Sequence, residues 1–211
     1  MTEQKAKIHL GSLELNLAEG MIMAFETFGR DVLKRNFKFS YEGFPINPKA
    51  HLTTSGTINV DSYNTAAHIL FEKAYAKGES LFLGSTTDYG LIAPEMNIMP
   101  FASSWQLRDL KSGEIISPNY GSVIISSRLI KGQGEKGKIK AGILGLHELG
   151  HLVFGTGADV CHETNCVYSH PKNHTEALEN NALIVLRGGQ IPVCERDKQR
   201  IKEFQQKWGI K

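Results

Sequence analysis

His147, Glu148 and His151 lie within the run His-Glu-Leu-Gly-His, two imidazoles four residues apart with a carboxylate beside the first. On a helix, positions i and i+4 stack on one face, so both imidazoles can grip one metal ion while the carboxylate leans toward its remaining coordination position. Zinc held in this way makes a bound water acidic near neutral pH, and Glu148 is the base that would take its proton. The spacing therefore predicts metal-assisted hydrolysis. Burying two imidazoles and a carboxylate without a shared partner would be costly, which argues against a core helix that merely happens to contain them.

The helix itself is predicted from the residues around the motif. Lys138 to Leu146 contains no proline, and its apolar residues continue through Leu149, Leu152, Val153 and Phe154, enough for about four turns of buried helix. Gly142, Gly145 and Gly150 weaken its intrinsic helicity by up to about 1 kcal/mol each, so packing must hold it, and small residues allow another element to approach closely. Downstream stand Cys161, Cys166 and Cys194, an odd set confined to the last quarter of the chain. Two thiols separated by four residues and joined by a distant third suit a metal-bound loop better than a disulfide framework, with one ligand still to be found.

At 211 residues the chain suits one domain with a substantial core. We divide it into residues 1–155, carrying the sheet and the His147 helix, and residues 156–211, a C-terminal part with the thiols. An apolar content of 41% is that of a globular protein, and a formal charge of +2 gives no reason to expect nucleic acid. The first residues lack the apolar stretch of a secretion signal, and no segment approaches the roughly 20 apolar residues of a membrane span, so a cytoplasmic location without membrane attachment is expected.

Alternation from Lys7 to Leu17 predicts a first strand, and Met21, Ile22, Phe25, Phe28, Val32 and Leu33 predict a helix over 18–37. A short strand is expected near 38–44. Asp61 is a candidate cap for a helix ending at Gly78, with further strands at 80–85, 97–103 and 121–129. Residues 131–138, rich in lysine and glycine, read as a solvated loop. Strands mixed with three or four helices give an α+β fold of α/β-like character.

Three blocks of the sequence resemble the archaemetzincins, a branch of the metzincin metallopeptidases. Leu83-Gly-Ser-Thr-Thr-Asp-Tyr-Gly-Leu91 with Asn97 to Ala102 resembles that family's strand pair, and Gly121 to Leu129 resembles the strand before its zinc helix. The third and more specific block runs from His147 through Cys161-x4-Cys166-Val167 and Asn173-His174-Thr175-Glu176 to Pro192-Val193-Cys194 and Lys198. Together these span about residues 80 to 200. The resemblance implies a metzincin-type zincin domain with a mixed twisted sheet, a catalytic zinc on an HExxH helix and a small C-terminal subdomain whose cysteines hold a structural zinc.

The departures from that pattern concern ligands. The family motif HExxHxxGxxHC places a glycine and a third histidine where this chain has Phe154 and Gly157, and Cys161 comes three residues later than in the family. His162 and Asp159 are the replacements within reach. Side chains alternate along an extended segment, so His162 projects on the side of the missing ligand and is preferred. Tyr168 stands where the family has its Met-turn methionine, the floor beneath the metal. Ile191 replaces the first cysteine of the CPxC pair, leaving Cys161, Cys166 and Cys194 for a site that wants four ligands, with His170 or His174 as the fourth.

These readings predict a zinc metallopeptidase acting on peptides or unfolded protein segments, with Glu148 passing the proton of the zinc-bound water to the leaving amine. Pro100 cannot donate to a sheet ladder and belongs on an edge strand, where either an extended peptide could pair or the proline protects an exposed edge against aggregation. The altered ligands also suit a catalytically impaired, zinc-stabilised interaction module. A hydrolase of some other bond is a third reading, because HExxH fixes the nucleophile and leaves the substrate open.

Overall fold

The computed structural model describes residues 7–11, 14–40, 44–94, 100–154, 161, 163, 166–168 and 174–211. The chain forms two compact units. Met1–Glu14 with Phe37–Leu129 make the first, and Leu15–Asn36 with Ile130–Lys211 make the second.

The first unit is built on a five-stranded sheet of β1 (Lys7–Gly11), β2 (Lys38–Ser40), β4 (Leu81–Thr87), β6 (Ala102–Gln106) and β7 (Tyr120–Ser126) in the order β2-β1-β4-β7-β6. All neighbours are parallel except β6, which runs antiparallel to β7. The sheet is therefore mixed, with β6 at an edge and Pro100 two residues ahead of it. Between these strands, β3 (Thr57–Asn59) leads directly into α2 (Val60–Ala76) and pairs in parallel with β5 (Gly90–Ile92). Tyr63, Ala67 and Phe71 on one face of α2 pack with Leu83, Leu91, Leu107 and Ile124. Fully burying each such large side chain contributes about 1.5–3 kcal/mol, which makes this the stabilising core of the unit.

The second unit is helical: α1 (Leu15–Phe28) continues into a π turn, Gly29–Leu33, and packs with α3 (Gly134–Phe154), against which α4 (His174–Leu186) and α5 (Glu195–Lys207) also pack. Glycines bring α1 and α3 together. A Cβ on Gly20 would strike the Lys138 carbonyl, and one on Gly145 would stand 2.9 Å from Ala24 Cβ and 3.2 Å from Met21 Sδ. The weak helix propensity of α3 is thus offset by a backbone approach that larger residues would forbid. No helix among the described residues is long and apolar enough to cross a membrane.

Several sequence expectations shift here. The first strand stops at Gly11 and a helix begins at Leu15, because Leu17, Met21, Ala24, Phe25 and Phe28 form a buried helical stripe while Leu15 is 76% exposed. Asn59, and not Asp61, caps α2: its side chain accepts from the backbone N–H groups of Asp61 and Ser62 at 3.0 and 3.1 Å. The expected loop over 131–138 is shorter, since α3 already starts at Gly134 and its first turns are tied down by Lys138 Nζ, 3.1 Å from Glu19 and 3.6 Å from Glu135. The strand expected to Leu129 ends at Ser126 and closes in a 3-10 turn.

Candidate metal centre

The motif of α3 converges as its spacing requires. The rings of His147 and His151 lie 5.0 Å apart at 86°, and one ligand atom from each of His147, Glu148 and His151 falls within 4.8 Å of the others. Both histidines are half-buried and Glu148 is 9% exposed, so the group is neither sealed in apolar surroundings nor free in solvent. His147 Nδ1 hydrogen-bonds to the Val167 carbonyl at 2.9 Å. A carbonyl only accepts, so Nδ1 carries the proton and the lone pair is on Nε2, the state in which an imidazole binds a metal. The donor set therefore fits zinc: neutral nitrogen from His147, a second imidazole one helical turn on and an adjacent carboxylate.

The segment that orients His147 also forms a floor. Tyr168 is buried with its ring against Gly150, where any Cβ would collide with Cδ1 and Cε1. Its other neighbour is Phe154, at 4.9 Å between centroids. An aromatic ring thus supports α3 at the residue before His151, and Gly150 is the residue that admits it. Burial raises the Tyr168 hydroxyl above its usual range, keeping it a neutral donor. The C-terminus of α3 is held by Arg200, whose Nη2 donates to the Phe154 carbonyl at 3.1 Å while the guanidinium lies 4.7 Å over the Phe154 ring.

A second cluster stands on other elements. Cys161, Cys166, Cys194 and Asp197 bring one ligand atom each within 4.8 Å of one another. Cys161 Sγ lies 3.5 Å from Cys194 Sγ, and the Asp197 carboxylate receives Cys166 Sγ at 3.0 Å and Cys194 Sγ at 3.3 Å. Burial pushes the Cys161 thiol up to about 11 and raises Cys166 as well. A bound cation reverses that logic, because a coordinating thiol ionises outright. The three cysteines singled out in the sequence thus come together, and the residue missed is Asp197, the first turn's acid three positions after Cys194. His170, His162 and Asp159 lie outside the described residues, as does the side chain of His174.

Among solved structures, an archaemetzincin from Methanopyrus kandleri superimposes with a TM-score of 0.61, covering 98% of this chain and 98% of that one at 15% sequence identity. The chain has the archaemetzincin fold. At that identity the likeness concerns architecture, and no family model or curated protein sequence matches the chain. Within the archaemetzincin-like fold, a cavity of about 510 Å³ is lined by Arg30, Asp31, Leu146, Tyr168 and Ile191. Among the described residues its lining includes neither imidazoles nor thiols, and its two charged groups pair with each other at 2.7 Å.

Proposed function

We propose that this protein is a zinc-dependent metallopeptidase that hydrolyses peptides or unfolded segments at the α3 motif. The observation that carries the reading is the convergence of His147, Glu148 and His151 with the His147 tautomer set by Val167. Zinc held by His147 and His151 would supply Lewis-acid polarisation of a carbonyl and an acidified water. Glu148 would be the general base toward that water and would return the proton to the departing amine. His162 is the preferred third ligand, with Asp159 behind it; Tyr168 takes the place of the methionine floor. A second zinc would sit among Cys161, Cys166 and Cys194 and serve structure. The archaemetzincin fold and the preserved HExxH geometry support this assignment.

A digest of a peptide library by the native chain, compared with Glu148→Gln at equal zinc content, tests the reading. Cleavage by the first and none by the second is expected; identical featureless digests would end the peptidase assignment. A second reading, a zinc-stabilised interaction module, is favoured by Phe154 and Gly157 standing where the family pattern has glycine and histidine. It predicts that His147→Ala retains every zinc equivalent of the native protein.

A further inference from the structure

The archaemetzincin pattern expects four thiolates in the C-terminal site, and this chain has Ile191 in place of one of them. We propose that Asp197 is the fourth ligand, so that the second metal ion is held by three thiolates and one carboxylate. The inference rests on the cysteine-bound ion proposed above and specifies how this chain completes it.

Asp197 is fully buried, and its carboxylate is aimed at sulfur. Its Oδ2 meets two of the three thiols, while Oδ1 is buried with no hydrogen-bond partner among the described residues. Arg200 Nη1, at 3.7 Å, is an ion-pair neighbour of Oδ1 but too distant to satisfy it as a hydrogen bond. A carboxylate desolvated against three sulfur atoms is expensive to maintain unless a cation shares the space. The separations fit one. Bonds of about 2.3 Å to sulfur and 2.0–2.2 Å to oxygen give a tetrahedron with edges of roughly 3.5–3.8 Å. The edges of 3.0, 3.3 and 3.5 Å need to open by roughly 0.3–0.6 Å to reach it.

Local structure explains why position 197 can substitute for position 191. Cys194 is the N-cap of α5 and makes no side-chain capping bond, its sulfur being turned into the cluster. Three residues on, Asp197 lies on the same face of the first turn, so Cys-x2-Asp supplies two donors from one helix start, as Cys-x2-Cys does in many zinc sites. Four anionic donors around a divalent ion leave excess negative charge, and Arg200 on the next turn offsets part of it.

Cobalt(II) loading of the full chain tests the assignment, because thiolate-to-cobalt charge transfer reports the sulfur ligands independently of activity. The native chain should show a three-thiolate band that His147→Ala leaves in place. Asp197→Cys should raise its intensity by about one third as a fourth sulfur joins. Asp197→Ala should weaken cobalt retention against a competing chelator at least about tenfold. Should Asp197→Ala not fold, the Asp197→Cys spectrum decides alone. A three-thiolate band unmoved in intensity by Asp197→Cys, or retained at native affinity in Asp197→Ala, would overturn Asp197 as ligand while leaving the cysteine-bound ion. No thiolate band in the native chain, or a Cys161–Cys194 disulfide in the purified protein by non-reducing mass spectrometry, would overturn both.

Discussion

The two ligand clusters of the helical unit are built on opposite plans. His147, Glu148 and His151 come from one turn of one helix, held from behind by the glycine contacts of α1 and from below by Tyr168. Cys161, Cys166, Cys194 and Asp197 come from two segments separated by 28 positions between Cys166 and Cys194, joined where they meet by hydrogen bonds such as Val167 N–H to the Pro192 carbonyl at 2.8 Å. The first is held by helix packing; on the reading proposed above, the second would depend on its ion. A preorganised site can lose its metal and keep its shape, whereas the other should lose both together.

Chemistry should separate the two clusters most sharply. Glu148→Gln keeps the size and hydrogen-bonding capacity of the side chain but cannot take a proton, so peptide hydrolysis should fall by about 10²–10⁴-fold. Zinc content and melting temperature should stay near native, and a fall in either would mean that Glu148 helps to hold the metal or the helix. Next in size is stability. Cys166→Ser should release one zinc equivalent and lower the melting temperature by roughly 10 °C, as expected for a loss of about 3–5 kcal/mol in a chain of this length. His147→Ala should release the other equivalent and shift the transition by only a few degrees. Equal shifts in scanning calorimetry would erase the proposed difference between the sites. Because Val167 follows Cys166 and accepts from His147, Cys166→Ser should also weaken zinc binding at the imidazoles, while His147→Ala should leave the thiolate site alone.

The same contrast explains what is legible in the sequence alone. His147, Glu148 and His151 were legible because their spacing alone sets them on one helical face. The cysteines were legible as a set, since few other roles suit three thiols at those separations. Asp197 was hidden because it acts through α5, an element with so narrow an apolar stripe (Ile201, Phe204, Trp208) that periodicity did not announce it. The extra apolar alternation at Leu13, Leu15 and Leu17 imitated a strand, and only the packing of Leu17 with Met21 and Phe25 decides for a helix. Asp61 and Asn59 are both good caps in isolation; the extended backbone at Asn59, with φ of −74° and ψ of 107°, selects it.

Preorganisation of α3 by glycine can be tested without touching a ligand. Gly20→Ala places a methyl against the Lys138 carbonyl, a backbone atom that cannot move aside, so overpacking of about 1–3 kcal/mol should exceed the helix-propensity gain of roughly 1 kcal/mol. Gly142→Ala mainly meets the end of the Met23 side chain, which can rotate away, and should cost less. Urea denaturation of the two variants should therefore rank Gly20→Ala below Gly142→Ala. The reverse order would mean that the close approach of α1 and α3 is not what holds the motif helix.

The smallest effect concerns the side of the same helix that meets α4. Lys136 Nζ lies 2.6 Å from one oxygen of Glu179 on α4, and Lys140, 4% exposed, bonds to the other and to Gln133 Oε1. Hydrogen bonds from Lys136, and then from Lys140, hold the Glu179 carboxyl below its ordinary range. A carboxylate whose folded pKa is depressed stabilises the fold above its unfolded pKa of about 4.3, and that contribution is lost as pH falls through the lower folded value. Glu179 is about one-third exposed, so solvent screening keeps the contribution near roughly 1 kcal/mol. Glu179→Gln should thus destabilise the chain slightly at neutral pH and by progressively less below pH 4, with the two unfolding curves converging as the native carboxylate protonates. Curves that stayed parallel throughout acid titration would assign Lys140 to Gln133 alone and leave α4 attached to the metal helix by packing, without the ionic contact.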